Sequence, residues 1–145
     1  MKRFTLGILL ILLLQAPAHG AIIKELNIEQ LCSQASTIFS GVCIERGTDG
    51  PSVLRFSFTV LQMIKGQPAD IITIRMHKTA ADIARAPVYT VGEEVILFLY
   101  PESSQGFTSP VGFGQGRFLV SLGAAGDKVV ANERNNLNLF KGMDS

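Results

Sequence analysis

The stretch from Tyr89 to Phe118, YTVGEEVILFLYPESSQGFTSPVGFGQGRF, decides how the chain folds. Inside it, Val95-Ile96-Leu97-Phe98-Leu99-Tyr100 is an unbroken apolar run between a Gly-Glu-Glu lead-in and a long loop of Gly, Ser and Pro. Alternate residues of a strand point to opposite faces, so a run that is apolar at every position predicts a central strand covered on both sides. The loop returns through Gly112-Phe113-Gly114-Gln115-Gly116 into a second strand, Arg117 to Leu122. The three spaced glycines have the composition of a phosphate cradle, but a cradle requires a helix to follow, and a strand follows here. A turn or β-bulge is expected instead, with the Gln115 amide presented between two glycines.

Upstream, Val53 to Lys65 alternates cleanly. Leu54, Phe56, Phe58 and Val60 share one face, and Arg55, Ser57 and Thr59 the other, the pattern of a half-buried strand. Asp70 to His77 repeats it, with Ile72, Ile74 and Met76 inward and Thr73, Arg75 and His77 outward. Ser36 to Glu45 is a further strand, and Gly41 inside it predicts a bulge or bend. Asn27 and Gln30 form a capping-box pair at the start of a short helix whose inner side is Leu26, Leu31 and Ala35. Thr79 to Pro87 reads equally as a helical turn or a loop. Downstream, Gly123 to Asp127 is a turn and Lys128 to Asn132 pairs with the strand before it. Leu137, Leu139 and Phe140 are placed to dock the Asn-rich tail. Short strands between Gly/Pro turns, with one short N-terminal helix, predict an all-β fold: a small closed barrel of the OB type with five to six strands.

The first residues read as an address. Lys2 and Arg3 precede an apolar core, Leu6 to Leu14, and then small residues, the pattern of a secretory signal peptide over residues 1–20. Cleavage after Ala18 leaves His19 first; cleavage after Gly20 leaves Ala21 first. The expected product is a single domain, 21–145, exported to the periplasm or the extracellular space. Taking Lys2 and Arg3 from the 13 basic residues leaves 11 against 12 acidic ones, a net charge of −1. That balance argues against nucleic acid or an anionic membrane as the main partner, and no later stretch is long enough to span a bilayer.

Two cysteines remain, and an exported chain with an even count invites a disulfide between Cys32 and Cys43. The predicted elements pull against it. Cys43 lies roughly 20 Å past its strand's start, and Cys32 only about 5 Å back from its helix end, while a bridge needs Cα atoms within ~7 Å. A bridge and two buried free thiols both stay open.

Several pieces taken together resemble a family. They are Leu31-Cys32-Ser33-Gln34-Ala35-Ser36 leading to Ile38-Phe39-Ser40-Gly41-Val42, then Phe58-Thr59-Val60 and Lys65-Gly66, then Gly92-Glu93-Glu94-Val95-Ile96-Leu97-Phe98-Leu99 and Gly114-Gln115-Gly116-Arg117-Phe118. The set is similar to largely uncharacterised small exported bacterial proteins, whose layout resembles the OB-fold domain of tissue inhibitors of metalloproteinases and netrin-like modules. The resemblance implies an OB-like barrel that binds a protein partner. It does not carry inhibition across. Those inhibitors chelate the protease zinc through an N-terminal Cys, whereas the first Cys here is Cys32.

Catalytic signatures are scarce. The chain has two histidines, and no nucleophile elbow, P-loop, His-Glu-x-x-His or Cys-x-x-Cys. His77 is expected on a polar strand face. Glu93 and Glu94 are adjacent, so on a strand they point apart and cannot face one another as acid and base. The reading is therefore an exported, non-enzymatic binding module without cofactor or metal. It contacts a protein, for instance an exported protease, through the loops Glu102 to Gly116 and Lys78 to Pro87, with Phe107, Phe113 and Gln115 as contacts. The alternative is a metalloprotease-inhibitor-like protein. Lesser readings are a small hydrolase using carboxylates among Asp70, Asp82, Glu93 and Glu94, and a copper site built from an exposed N-terminal His19 with His77.

Overall fold

The computed structural model describes residues 23–78 and 89–143. The signal stretch with His19, and the segment 79–88 with Asp82 and nearly all of the Lys78 to Pro87 loop, lie outside the described residues. The elements are α1 (Ile28–Gln34), β1 (Thr37–Thr48), β2 (Val53–Lys65), β3 (Ile71–His77), β4 (Glu94–Leu99), a 3-10 turn (Phe113–Gly116), β5 (Arg117–Leu122) and β6 (Lys128–Asn132). All six strands belong to one antiparallel sheet in the order β3-β2-β1-β4-β5-β6.

β4 is buried on both faces, as its unbroken apolar run requires. Val95, Leu97 and Leu99 join Phe39, Phe56, Phe58, Ile74, Met76 and Tyr89 in one core. Phe98, with Ile96 beside it, joins Leu26, Leu31, Ala35, Ile38, Phe118 and Leu139 in a second core on the opposite face. The first core draws side chains from β1, β2, β3 and β4 together, so the sheet curls around it. The bends are where the sequence places them: the β1–β2 register slips between Ser40 and Gly41, one of three irregularities along that pair. α1 covers the second core. It starts at a reciprocal capping box in which Asn27 Oδ1 accepts from Gln30 N at 2.9 Å and Gln30 Oε1 accepts from Asn27 N at 3.0 Å.

The expected closure is absent: β3 and β6 are the two ends of the sheet and do not pair with one another. Part of each end is occupied by something other than a strand. At β3, the loop after β4 reaches across, and Thr108 N donates to Arg75 O at 3.3 Å. At β6, the side chain of Asn136 takes a strand's place. Its Oδ1 accepts from Asn132 N at 3.0 Å and its Nδ2 donates to Val130 O at 2.8 Å. With these groups satisfied locally, neither edge depends on the other. In the tail only Leu139 docks in the core, where its carbonyl accepts from Ile28 N; Leu137 and Phe140 stay exposed.

Cys32 and Cys43 are free thiols, so the bridged alternative is not realised. Cys43 is buried in the core facing Tyr89, whereas Cys32 is exposed on the helix that covers the other face of the sheet. The expectation that both thiols are buried fails for Cys32.

Candidate functional site: the mouth of the curled sheet

Where the sheet curls, the start of β1, the end of β2, the first half of β3 and the end of β4 surround a cavity of about 380 Å³. Its apolar wall is Ile72, Ile74 and Leu99; Thr37, Gln67, Tyr100 and Glu102 lie around it. That volume falls in the range of small-ligand and side-chain pockets, which favour apolar walls with a few polar groups. Glu102 makes no ion pair among the described residues and is the one charged residue lining the cavity.

One aromatic ring stands at this mouth. Tyr100 lines the cavity, and its hydroxyl accepts from Gly112 N at 3.2 Å, which ties the rim to the turn carrying Phe113. Phe113 is 45% exposed and has a φ of +61°. A bulky side chain in the left-handed region costs roughly 1–2 kcal/mol per residue. The turn around it is rigid. Gly112 also takes a positive φ, Gly116 N donates to Val111 O at 2.8 Å, and a Cβ on Gly116 would lie 2.6 Å from that same carbonyl oxygen. The spaced glycines thus build a tight 3-10 turn that displays Phe113, and no phosphate cradle is formed.

Gln115, expected at the surface, is turned inward and is 2% exposed. Its Oε1 accepts from Leu26 N at 2.8 Å and its Nε2 donates to Lys24 O at 2.9 Å, so the amide holds the N-terminal segment. Asn132 Nδ2 donates to the Gln115 carbonyl at 3.2 Å and locks the same turn onto β6. Phe107 is half-buried. It stacks on His77 with ring centroids 4.1 Å apart, and the Arg75 guanidinium lies 5.0 Å from its centroid. Arg75 Nη1 donates to Gln105 O and its Nε to Asp49 Oδ2, so this cluster latches the long loop against β3.

The carboxylates considered for hydrolysis are not gathered. Arg117 Nη2 donates to both oxygens of Glu93 at 2.8 Å, Lys128 Nζ pairs with Glu94, and Asp70 precedes β3 at the sheet's far end. Asp82 lies outside the described residues, as does His19 of the copper reading, whose other member, His77, stacks on Phe107. Among the described residues no group of three or more His, Cys, Asp or Glu side chains is placed to hold a metal ion. Among them, too, no helix is long and apolar enough to cross a membrane.

Sequence reasoning gave Tyr89 no role beyond the start of the stretch that decides the fold. The ring is wholly buried and meets Phe56 and Phe58 edge-on at 5.0 and 5.1 Å. Burial pushes its phenol well above the usual range, opposed by the nearby Arg117 charge, and the hydroxyl has no hydrogen-bond partner among the described residues. The rim roles of Tyr100 and Glu102 were missed as well; their signal is their position, flanking Pro101 where an apolar strand stops. No protein-family model matches the chain, and no curated protein matches it either.

Proposed function

We propose that the protein is an exported, non-enzymatic binding module of OB-like, partly open barrel form, and that it receives a protein partner at the mouth of the curled sheet. What supports the barrel reading is the single core shared by β1 to β4 and the loop that bridges from the end of β4 to β3. The observation that carries the binding reading is Phe113. An aromatic ring held out in a strained backbone conformation, on a turn whose other members are buried, is costly to the fold and gains nothing for it. Tyr100, whose hydroxyl bonds the amide of the residue before Phe113, also lines the apolar cavity and so joins the displayed ring to a pocket of the kind on which hot spots are built.

The test is a trade-off. Phe113→Gly releases the strain while removing the ring, so its unfolding free energy stays within about 1 kcal/mol of wild type. Partner capture from the exported proteome of the native host falls at least about tenfold, the loss expected for an interface anchor. Leu122→Ala, at the distant β5–β6 turn, leaves capture unchanged. Capture by Phe113→Gly equal to wild type would place the contact elsewhere.

A further inference from the structure

Among the described residues no strand lies beside the free side of β3, and the register of the ladders locates the open position. Val60 N donates to Asp70 O and Lys78 N donates to Ser52 O, so the even-numbered residues of β3 bond toward β2. The main-chain groups of Ile71, Thr73, Arg75 and His77 therefore face the free side. Arg75 O is taken by Thr108 N, after which the loop leaves for an isolated bridge between Pro110 and Leu99. The next two outward positions, Thr73 and Ile71, have no main-chain partner on that side among the described residues. The cavity lies at this gap: Ile72 and Ile74 line it from β3, and Leu99, Tyr100 and Glu102 from the end of β4.

Resting on the reading of the mouth as a partner site, we infer that the occupant is an extended segment of the partner protein, added to β3 as a seventh strand. It continues the ladder that Thr108 begins, with main-chain bonds to Thr73 and Ile71. Strand periodicity sends every second side chain of that segment into the cavity, where Ile72, Ile74 and Leu99 call for an aliphatic group. The flanking residues are basic, because the charges at the gap are acidic. Glu102 lines the cavity and Asp70 precedes β3, neither in an ion pair among the described residues, while the Lys65 ammonium is turned away to Cys32 O at 2.8 Å. The inferred motif is thus basic–x–apolar–x–apolar–x–basic in extended form, which puts the basic and apolar side chains on one face.

The probe is the capped peptide acetyl-Lys-Thr-Ile-Thr-Ile-Thr-Lys-amide, in large molar excess over the full mature chain, with amide hydrogen exchange read residue by residue. The expected result is that the Ile71 and Thr73 amides exchange freely in the protein alone and slow at least about tenfold with the peptide. The same peptide N-methylated at its central Thr, or carrying Glu for both Lys, gives no protection. Glu102→Lys reverses the charge preference without altering the unfolding transition. The inference is overturned if the two amides are already protected in the protein alone, since residues of the chain itself then fill the position. Peptide-induced protection that maps elsewhere, or none, also overturns it. Capture that still depends on Phe113 while the peptide gives no protection leaves the mouth as a partner site and removes only the added strand; capture independent of Phe113 removes the broader reading instead.

Discussion

At the scale of single residues, Tyr89 carries an unbalanced cost within the core. Its ring contributes aromatic contacts and apolar burial, but a buried hydroxyl without a partner costs about 1–3 kcal/mol. Tyr89→Phe keeps the ring and removes the cost, so it raises the unfolding free energy by about 1 kcal/mol, measured by urea titration at neutral pH. The same residue sets an alkaline limit. Its phenol is raised in the folded state, while in the unfolded chain it ionises near ~10. Stability is therefore whole below about pH 10 and drains away as pH rises from there toward the folded value, because the unfolded state alone sheds the proton. Cys43, also raised by burial, adds a loss of the same sign that begins lower, near ~8.5. Tyr89→Phe flattens the decline above about pH 10 and leaves the shallower Cys43 component. The burial of Tyr89 was not legible in the sequence, and Phe113, named there as a contact, gave no sign of its left-handed backbone. Tyr89 stands outside any strand pattern, and a positive φ on a phenylalanine leaves no trace in composition.

At the scale of elements, strands and helix followed from periodicity nearly residue for residue. β5 and β6 begin and end where turn residues bound them, and the Asn27–Gln30 pair starts α1. What failed was the assignment of polar residues within irregular segments. Gln115 lies between glycines, which suggested a surface turn. Its environment is set by chain segments roughly ninety residues away, Lys24 and Leu26, which no local pattern reveals. Its role is separable by experiment. Gln115→Ala leaves Leu26 N and Lys24 O without their partner and lowers the unfolding free energy by about 2–3 kcal/mol. A residue serving only as a partner contact would leave stability unchanged and reduce capture instead. Denaturant midpoints of the purified variant distinguish the two.

At the scale of the whole molecule, the two thiols report on different depths of the fold. Cys32 is exposed on α1, and Cys43 lies in the core at the centre of the sheet. In native buffer an alkylating reagent modifies one thiol per chain within the ordinary reaction time. The second reacts only as fast as the molecule opens globally, and together with the first in denaturant. Intact mass resolves the two steps, and a chain that takes up no reagent without prior reduction would instead be bridged. The all-β character with one short helix was legible because alternation and turn residues are local. Closure was not, because it depends on what meets at the two ends of the sheet. There a loop anchored by Arg75 and a side-chain amide from Asn136 meet β3 and β6, and neither belongs to a strand pattern.

The amide that stands in for a strand at β6 also sets a timetable. Asn136 and Leu139 follow every strand in chain order, yet they seal the last edge and complete the second core. A polypeptide emerging N-terminus first therefore has all its strands out before the residues that fasten them arrive. Until they arrive the β6 edge lacks its cap and the second core lacks Leu139, so the last residues made are the ones that finish the fold.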